Sequence, residues 1–184
     1  PYVSRHGFGY SVFEHTERGI TSELWVYVAL DAPVKFAVLK VRNESGRLRK
    51  LSATGCVEWV LGDLPEKSRM HIVTEIDVGS GVLLARNPYS NEFSGRVAFF
   101  DADDTVRSVT GDRTEFIGRN GGFRNPAAMM STDLLSGRVG PALDPCGAIR
   151  IPFDLLDGQS REICFRLGAG SDTDDAVKLA QRFR

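Results

Sequence analysis

The sequence predicts an all-β domain of two packed antiparallel sheets, and three observations predict it. From Leu51 to Leu61 apolar and polar residues alternate, the period of a strand that buries one face. Turn-forming residues recur at intervals of roughly 8–12, the spacing found in sandwiches and barrels. Helical spacing of apolar side chains is confined to the segment after Gly170.

Taken in order, Tyr10-Ser-Val-Phe-Glu-His15 and Ile20-Thr-Ser-Glu-Leu-Trp-Val-Tyr-Val-Ala29 flank Glu17-Arg-Gly19, which reads as a hairpin. Asp31-Ala-Pro33 breaks the pattern, Val34 to Asn43 resumes it, and Glu44-Ser-Gly46 supplies the next turn. On the strand that follows, Leu51, Ala53, Gly55, Val57, Trp59 and Leu61 share one face, with Ser52, Thr54, Cys56 and Glu58 on the other. Trp59 therefore reads as core. Short strands are expected at His71–Ile76, Val82–Arg86 and Gly95–Phe100, with Asp101-Ala-Asp-Asp104 as an ordinary turn. Thr105 to Val109 leads into a loop dense in charge and glycine, Gly111 to Gly122. Arg124 to Pro145 reads as a long connection with one helical turn near Ser131–Leu135, and loops of that length are more often functional than idle. Ala148–Leu155 and Arg161–Leu167 form a last hairpin around Asp157-Gly158. After Ser171, capping residues, early carboxylates Asp174 and Asp175 and late cations Lys178, Arg182 and Arg184 mark a helix. The division is a sandwich over 1–170 and the start of a helical linker over 171–184.

Composition narrows the function. At 184 residues, 42% hydrophobic and 26% charged, the chain has the makeup of one globular domain. Its formal net charge of −1 argues against nucleic acid and against direct contact with an anionic membrane. Cys56, Cys146 and Cys164 contain no C-x-x-C pair, so neither a disulfide framework nor a zinc site is expected, and a reducing compartment fits. No apolar run reaches the ~20 residues that span a bilayer. The chain starts at Pro1 without methionine and stops within the terminal helix, which reads as a piece of a longer protein.

No nucleophile elbow, phosphate loop or zinc-protease motif is present, and His6, His15 and His71 are scattered. No metal and no cofactor is expected. Asp112, Arg113, Glu115, Phe116, Gly118, Arg119 and Asn120 stand out because carboxylates, guanidinium forks and an amide share one glycine-rich loop. Such a loop either holds a polar ligand or a partner surface, or pairs its charges with one another. Trp25, Tyr27 and Phe99 offer either core packing or sugar-stacking surface.

Several segments, in one order along nearly the whole chain, carry a family resemblance. They include Ser4-Arg-His-Gly-Phe-Gly-Tyr-Ser-Val-Phe-Glu-His15, Glu58-Trp-Val-Leu-Gly62, Leu84-Ala-Arg-Asn-Pro88, Val109-Thr-Gly-Asp-Arg-Thr-Glu-Phe-Ile-Gly-Arg-Asn-Gly121 and Leu143-Asp-Pro-Cys146. The chain resembles the β-sandwich domain of inverting glycoside phosphorylases, cellobiose and chitobiose phosphorylases among them, and most of all the equivalent module of cyclic β-1,2-glucan synthases. The resemblance implies a galactose-mutarotase-like super-sandwich, then a helical linker and an (α/α)₆ catalytic barrel that this chain does not contain. It implies a sandwich that packs on that barrel and on a partner subunit, hence a homo-oligomer, with the 111–122 loop facing the active-site side. Asp112, Arg113, Glu115, Phe116, Gly118, Arg119 and Asn120 match that loop. The implied substrates are a β-linked glucan or oligosaccharide with phosphate, on the cytoplasmic side, in a parent enzyme that is an inner-membrane protein if of the synthase type. The alternatives are a self-sufficient carbohydrate-binding module and, least favoured by the scattered histidines, a mutarotase-like epimerase.

Overall fold

The structure, a computed structural model, describes residues 2–184. In chain order its first strands are β1 (Tyr2–Gly7), β2 (Tyr10–Glu17), β3 (Ile20–Val28), β4 (Val34–Asn43) and β5 (Arg49–Glu58). After the helical turn α1 (Pro65–Ser68) come β6 (Val73–Ile76), β7 (Leu83–Arg86), β8 (Val97–Ala102) and β9 (Ser108–Asp112). Two short helices, α2 (Arg113–Ile117) and α3 (Ala127–Met130), precede the long hairpin β10 (Pro145–Leu155) and β11 (Ser160–Gly170), and α4 (Thr173–Arg182) closes the chain. As the alternation predicts, the strands form two antiparallel sheets. The large one has eight strands in the order β1-β2-β3-β4-β11-β8-β7-β6, and the small one has three, β5-β10-β9.

Alternation assigns each side chain to a layer. Ile149, Ile151, Phe153 and Leu155 of β10 point inward and meet Phe100, Ile163 and Phe165 of the large sheet in the main core. Gly55 of β5 is small for a reason: a Cβ there would sit 2.7 Å from the rings of Phe100 and Phe165. The outer face of the large sheet carries Val34, Phe36, Val38, Leu84, Val97 and Phe99, covered by Ala176 and Ala180 of α4. The outer face of the small sheet carries Cys146 and Ala148, covered by Phe116, Ile117 and Leu135. Each fully buried large apolar side chain stabilises the fold by ~1.5–3 kcal/mol. The Cys146 thiol is pushed well up by its hydrogen bond to Cys56 and by burial, so it stays a packed, protonated group.

The β2–β3 hairpin turns at Arg18 and Gly19, both left-handed with φ of 52° and 76°, as a primed two-residue turn demands. On one flank the sandwich is laced shut by segment 137–140: Gly137 N–H donates to Val109 O and Gly111 N–H to Arg138 O at 2.8 and 2.7 Å, and Thr74 N–H to Gly140 O at 3.4 Å. On the other flank, among the described residues, β5 pairs with β10 alone, and β1, β2 and β3 extend the large sheet past it.

Besides Asp101, which lies in β8 and not in a turn, three details differ from the sequence reading. The first is β1, which pairs with β2 from Tyr2 opposite His15 to Gly7 opposite Tyr10 yet is exposed along its length; a strand with no buried face has no alternation to betray it. The second is the helical turn of the long connection, which lies at Ala127–Met130 and not near Ser131–Leu135. Pro126 presets the entry, and the Ser131 hydroxyl accepts Asp133 N–H at 3.0 Å, a local bond that competes with helix. The third is the charged loop, whose first half is helix α2.

Candidate functional site in the segment after strand β9

The sequence of this segment specifies a helix start. Asp112 is the N-cap of α2 and its carboxylate accepts Thr114 N–H at 2.9 Å, which satisfies one of the first-turn donors. Its other oxygen pairs with Arg138 at 3.0 Å. Glu115 turns back toward the strand, accepting from the Thr110 hydroxyl at 2.6 Å and from the Ser136 N–H and hydroxyl at 2.8 and 2.7 Å. Burial raises its carboxyl pKa, but the Thr110 and Ser136 bonds and the charge of Arg138 outweigh burial, and the net shift is downward.

Arg113 is equally committed. Its guanidinium pairs with Glu58 and, at 3.4 Å, with Asp144, and lies 5.7 Å from the centroid of Phe123. The Glu58 bond holds its pKa above the usual arginine range. Phe116 is only 3% exposed and anchors the cluster over Cys146 and Ala148. Gly118 ends the helix with φ of 86° while its N–H donates to Thr114 O, a conformation that favours glycine at this cap position. Arg150, reaching up from β10, donates to the carbonyls of Ala128 and Asp133 at 2.9 and 3.1 Å and pins the remainder of the segment.

Arg119 and Asn120 differ from these five. Both are exposed, and among the described residues neither takes part in an ion pair or a side-chain hydrogen bond. In the same segment Phe123, Met129 and Met130 are also exposed. The structure thus splits the seven residues: Asp112, Arg113, Glu115, Phe116 and Gly118 are tied into the fold, and Arg119 and Asn120 stand exposed just past the end of α2. Sequence reasoning did not single out Phe123, which lies in a run of glycine, arginine and asparagine with no periodicity. It also did not find the partners Glu58, Arg138 and Asp144, which are distant in sequence.

A second charge cluster went unread. Asp101, expected in a turn, is wholly buried at the end of β8. Arg107 donates to it at 2.7 Å, Arg184 at 3.0 and 3.1 Å, and Arg166 approaches to 3.6 Å. Among the described residues, no group of three or more histidine, cysteine or carboxylate side chains is arranged to hold a metal, and no helix is long and apolar enough to cross a membrane.

Comparison with known proteins identifies this architecture. All of residues 1–184 match the family described as glycosyl hydrolase 94, supersandwich domain. The chain belongs to that family. Its supersandwich is 34% identical over 183 residues to part of the cyclic beta-(1,2)-glucan synthase NdvB of Rhizobium meliloti, covering 100% of this chain and 6% of that protein. It is 26% identical over 185 residues to the N,N'-diacetylchitobiose phosphorylase of Vibrio furnissii, covering 96% of this chain and 22% of that protein. The supersandwich is therefore a small part of the relatives it matches. A polysaccharide lyase of known structure shares the fold, with a TM-score of 0.52 at 10% identity over 93% of this chain and 23% of the lyase.

Proposed function

We propose that this supersandwich is a non-catalytic module of a longer carbohydrate-active enzyme, packing on an (α/α)₆ catalytic barrel and shaping its sugar site through the tip of the segment after β9. The observation that carries the reading is the division of labour in that segment. Asp112, Arg113, Glu115, Phe116 and Gly118 are consumed in tying it to the fold, while Arg119 and Asn120 are exposed and make no ion pair or side-chain hydrogen bond among the described residues, and Phe123 stays half exposed with the Arg113 guanidinium over its ring. A rigid scaffold presenting a fork-shaped donor, an amide and an aromatic ring suits a hydroxyl-rich ligand or a neighbouring domain. No nucleophile with its base, and no acid/base pair, is assembled in that segment, and general acid–base chemistry needs one within hydrogen-bond reach. The relatives' names support the substrate class we propose for the parent enzyme: a β-linked glucan or oligosaccharide, with phosphate where that parent is a phosphorylase. The module works on the cytoplasmic side, its parent anchored in the inner membrane if of the synthase type, and as a homo-oligomer.

Incubating the purified domain with β-1,2-glucans and phosphate is expected to release no sugar phosphate, and turnover would overturn the reading. In an enzyme carrying this module, Arg119→Ala is expected to lower kcat/KM at least tenfold while leaving the domain's melting temperature in place. Unchanged kinetics would remove the tip from the sugar site.

A further inference from the structure

We propose a second glycan-binding surface on the opposite side of the molecule: the open half of the large sheet's outer face, built for a neutral β-glucan chain. The inference rests on the module belonging to a glycan-processing enzyme, and it names a site that the barrel-packing reading does not use.

Helix α4 covers only part of this face. Its apolar side chains sit over Val34, Phe36, Val38 and Phe99, toward the ends of β4 and β11 that adjoin the α4 connection. Beyond them the sheet is bare and forms a cleft of about 430 Å³, lined by Thr21, Glu23, Lys40, Arg42, Ser160 and Glu162. Strand register explains why these residues share one face: Glu23 lies opposite Lys40 and Thr21 opposite Arg42, while on the other side of β4 Glu162 lies opposite Lys40 and Ser160 opposite Arg42. The volume is within the ~300–1,000 Å³ range of small-ligand sites.

The chemistry of the lining selects the ligand. Arg42 is held by Glu44 at 2.9 Å, and Arg161 at the cleft's edge by Asp104. What remains is Glu23 and Glu162 against Lys40, whose ammonium stands 3.6 Å from the Glu162 carboxylate. A phosphate would meet two carboxylates here, and a metal ion would meet the ammonium. A sugar carries vicinal hydroxyls that both donate and accept, so it suits a floor on which acceptors, a cation and the hydroxyls of Thr21 and Ser160 alternate. Beside the floor stands Trp25, two residues along β3 from Glu23 and on the same face. Its indole N–H donates to the Glu23 carboxylate, and the Lys40 ammonium lies 5.9 Å from the ring centroid. Tyr10, 42% exposed, stacks on Trp25 with centroids 5.4 Å apart. An aromatic pair next to mixed donors and acceptors provides for both the C–H face and the hydroxyl rim of a pyranose.

The site and the Arg119 tip lie on opposite outer layers, with both sheets between them, so one can fail without the other. The test is calorimetric and NMR titration of the 184-residue domain with linear β-1,2-glucooligosaccharides. Saturable binding is expected, with a change in the fluorescence of Trp25 that Trp25→Phe removes, Trp59 being buried in the core. Lys40→Ala and Glu162→Ala should each weaken binding at least tenfold without lowering the melting temperature. Absence of heat and of chemical-shift change at millimolar sugar would overturn the inference while leaving the barrel-packing module intact. Binding that survives Lys40→Ala and Glu162→Ala but vanishes with Arg119→Ala would overturn it in favour of the tip.

Discussion

Replacing Asp101 with asparagine removes the one anion at the centre of three arginines without changing the side chain's size. In the folded protein Asp101 has no solvent exposure, and the Arg166 and Arg107 side chains keep 3% and 10% of theirs. Arg166 Nε, and Nη1 that stands 3.6 Å from Asp101, have no hydrogen-bond acceptor among the described residues, so the Asp101 charge is the compensation this buried guanidinium receives. Asp101 accepts three charge-assisted bonds, one from Arg107 and two from Arg184. Breaking one side of a buried charge network costs ~3–5 kcal/mol. The lower end is expected here, because Arg184 is about one-third exposed and can re-solvate. A loss of ~3 kcal/mol corresponds to a fall in melting temperature of about 6–12 °C for a domain of this size. Urea denaturation followed by tryptophan fluorescence measures it, with an unchanged m-value as the control for two-state behaviour. Pairing Asp101→Asn with Arg184→Ala in a double-mutant cycle should show at least ~1 kcal/mol of coupling, since the two residues touch. A single-variant cost under ~1 kcal/mol, or additive effects, would refute the claim that this buried network fastens α4 to the sheet.

Glu115 has its pKa lowered in the folded state, so its stabilising contribution is complete above the ordinary glutamate value of ~4.3 and disappears as pH falls through the lower folded value. The stability gap between the wild-type domain and Glu115→Gln should accordingly shrink as pH is taken from 7 to below 4, and a gap that widens on acidification would contradict the network drawn around Thr110 and Ser136. Phe116→Ala should cost ~3–5 kcal/mol, whereas Arg119→Ala should change stability by less than ~0.5 kcal/mol, as read by thermal melts of the two variants side by side. Gly118→Ala, forced into a left-handed φ, should destabilise by ~1 kcal/mol or more, and a neutral result would mean that the cap relaxes.

Much of the sandwich was legible because burial on one side writes a two-residue period into the chain. Ala53 and Val57 proved to face the main core as their spacing implied, and the capping residues around Asp172 fixed the start of α4, where Asp172 accepts Asp175 N–H at 2.8 Å. Where burial is absent the code is silent, as in β1. Where burial is two-sided it is saturated, as in β8, whose six residues are all buried and whose Asp101 looked like part of a turn. The segment after β9 was recognised as special but read as loop. Its Asp112-Arg-Thr-Glu115 spacing is that of a helix start, yet the abundance of glycine on either side outweighed a pattern of four residues. No local signal could reveal which charges are neutralised at home, because Glu58, Arg138 and Asp144 arrive from elsewhere in the fold.

The lacing by residues 137–140 has a mechanical consequence. A structure stitched along one margin hinges there and gapes at the other, so thermal opening should begin at the bare rim of β5 and at the overhanging hairpins of β1–β3, with amide protons exchanging fastest in those strands. Anything that docks along that rim would act as a clasp, converting a one-sided seam into a closed shell.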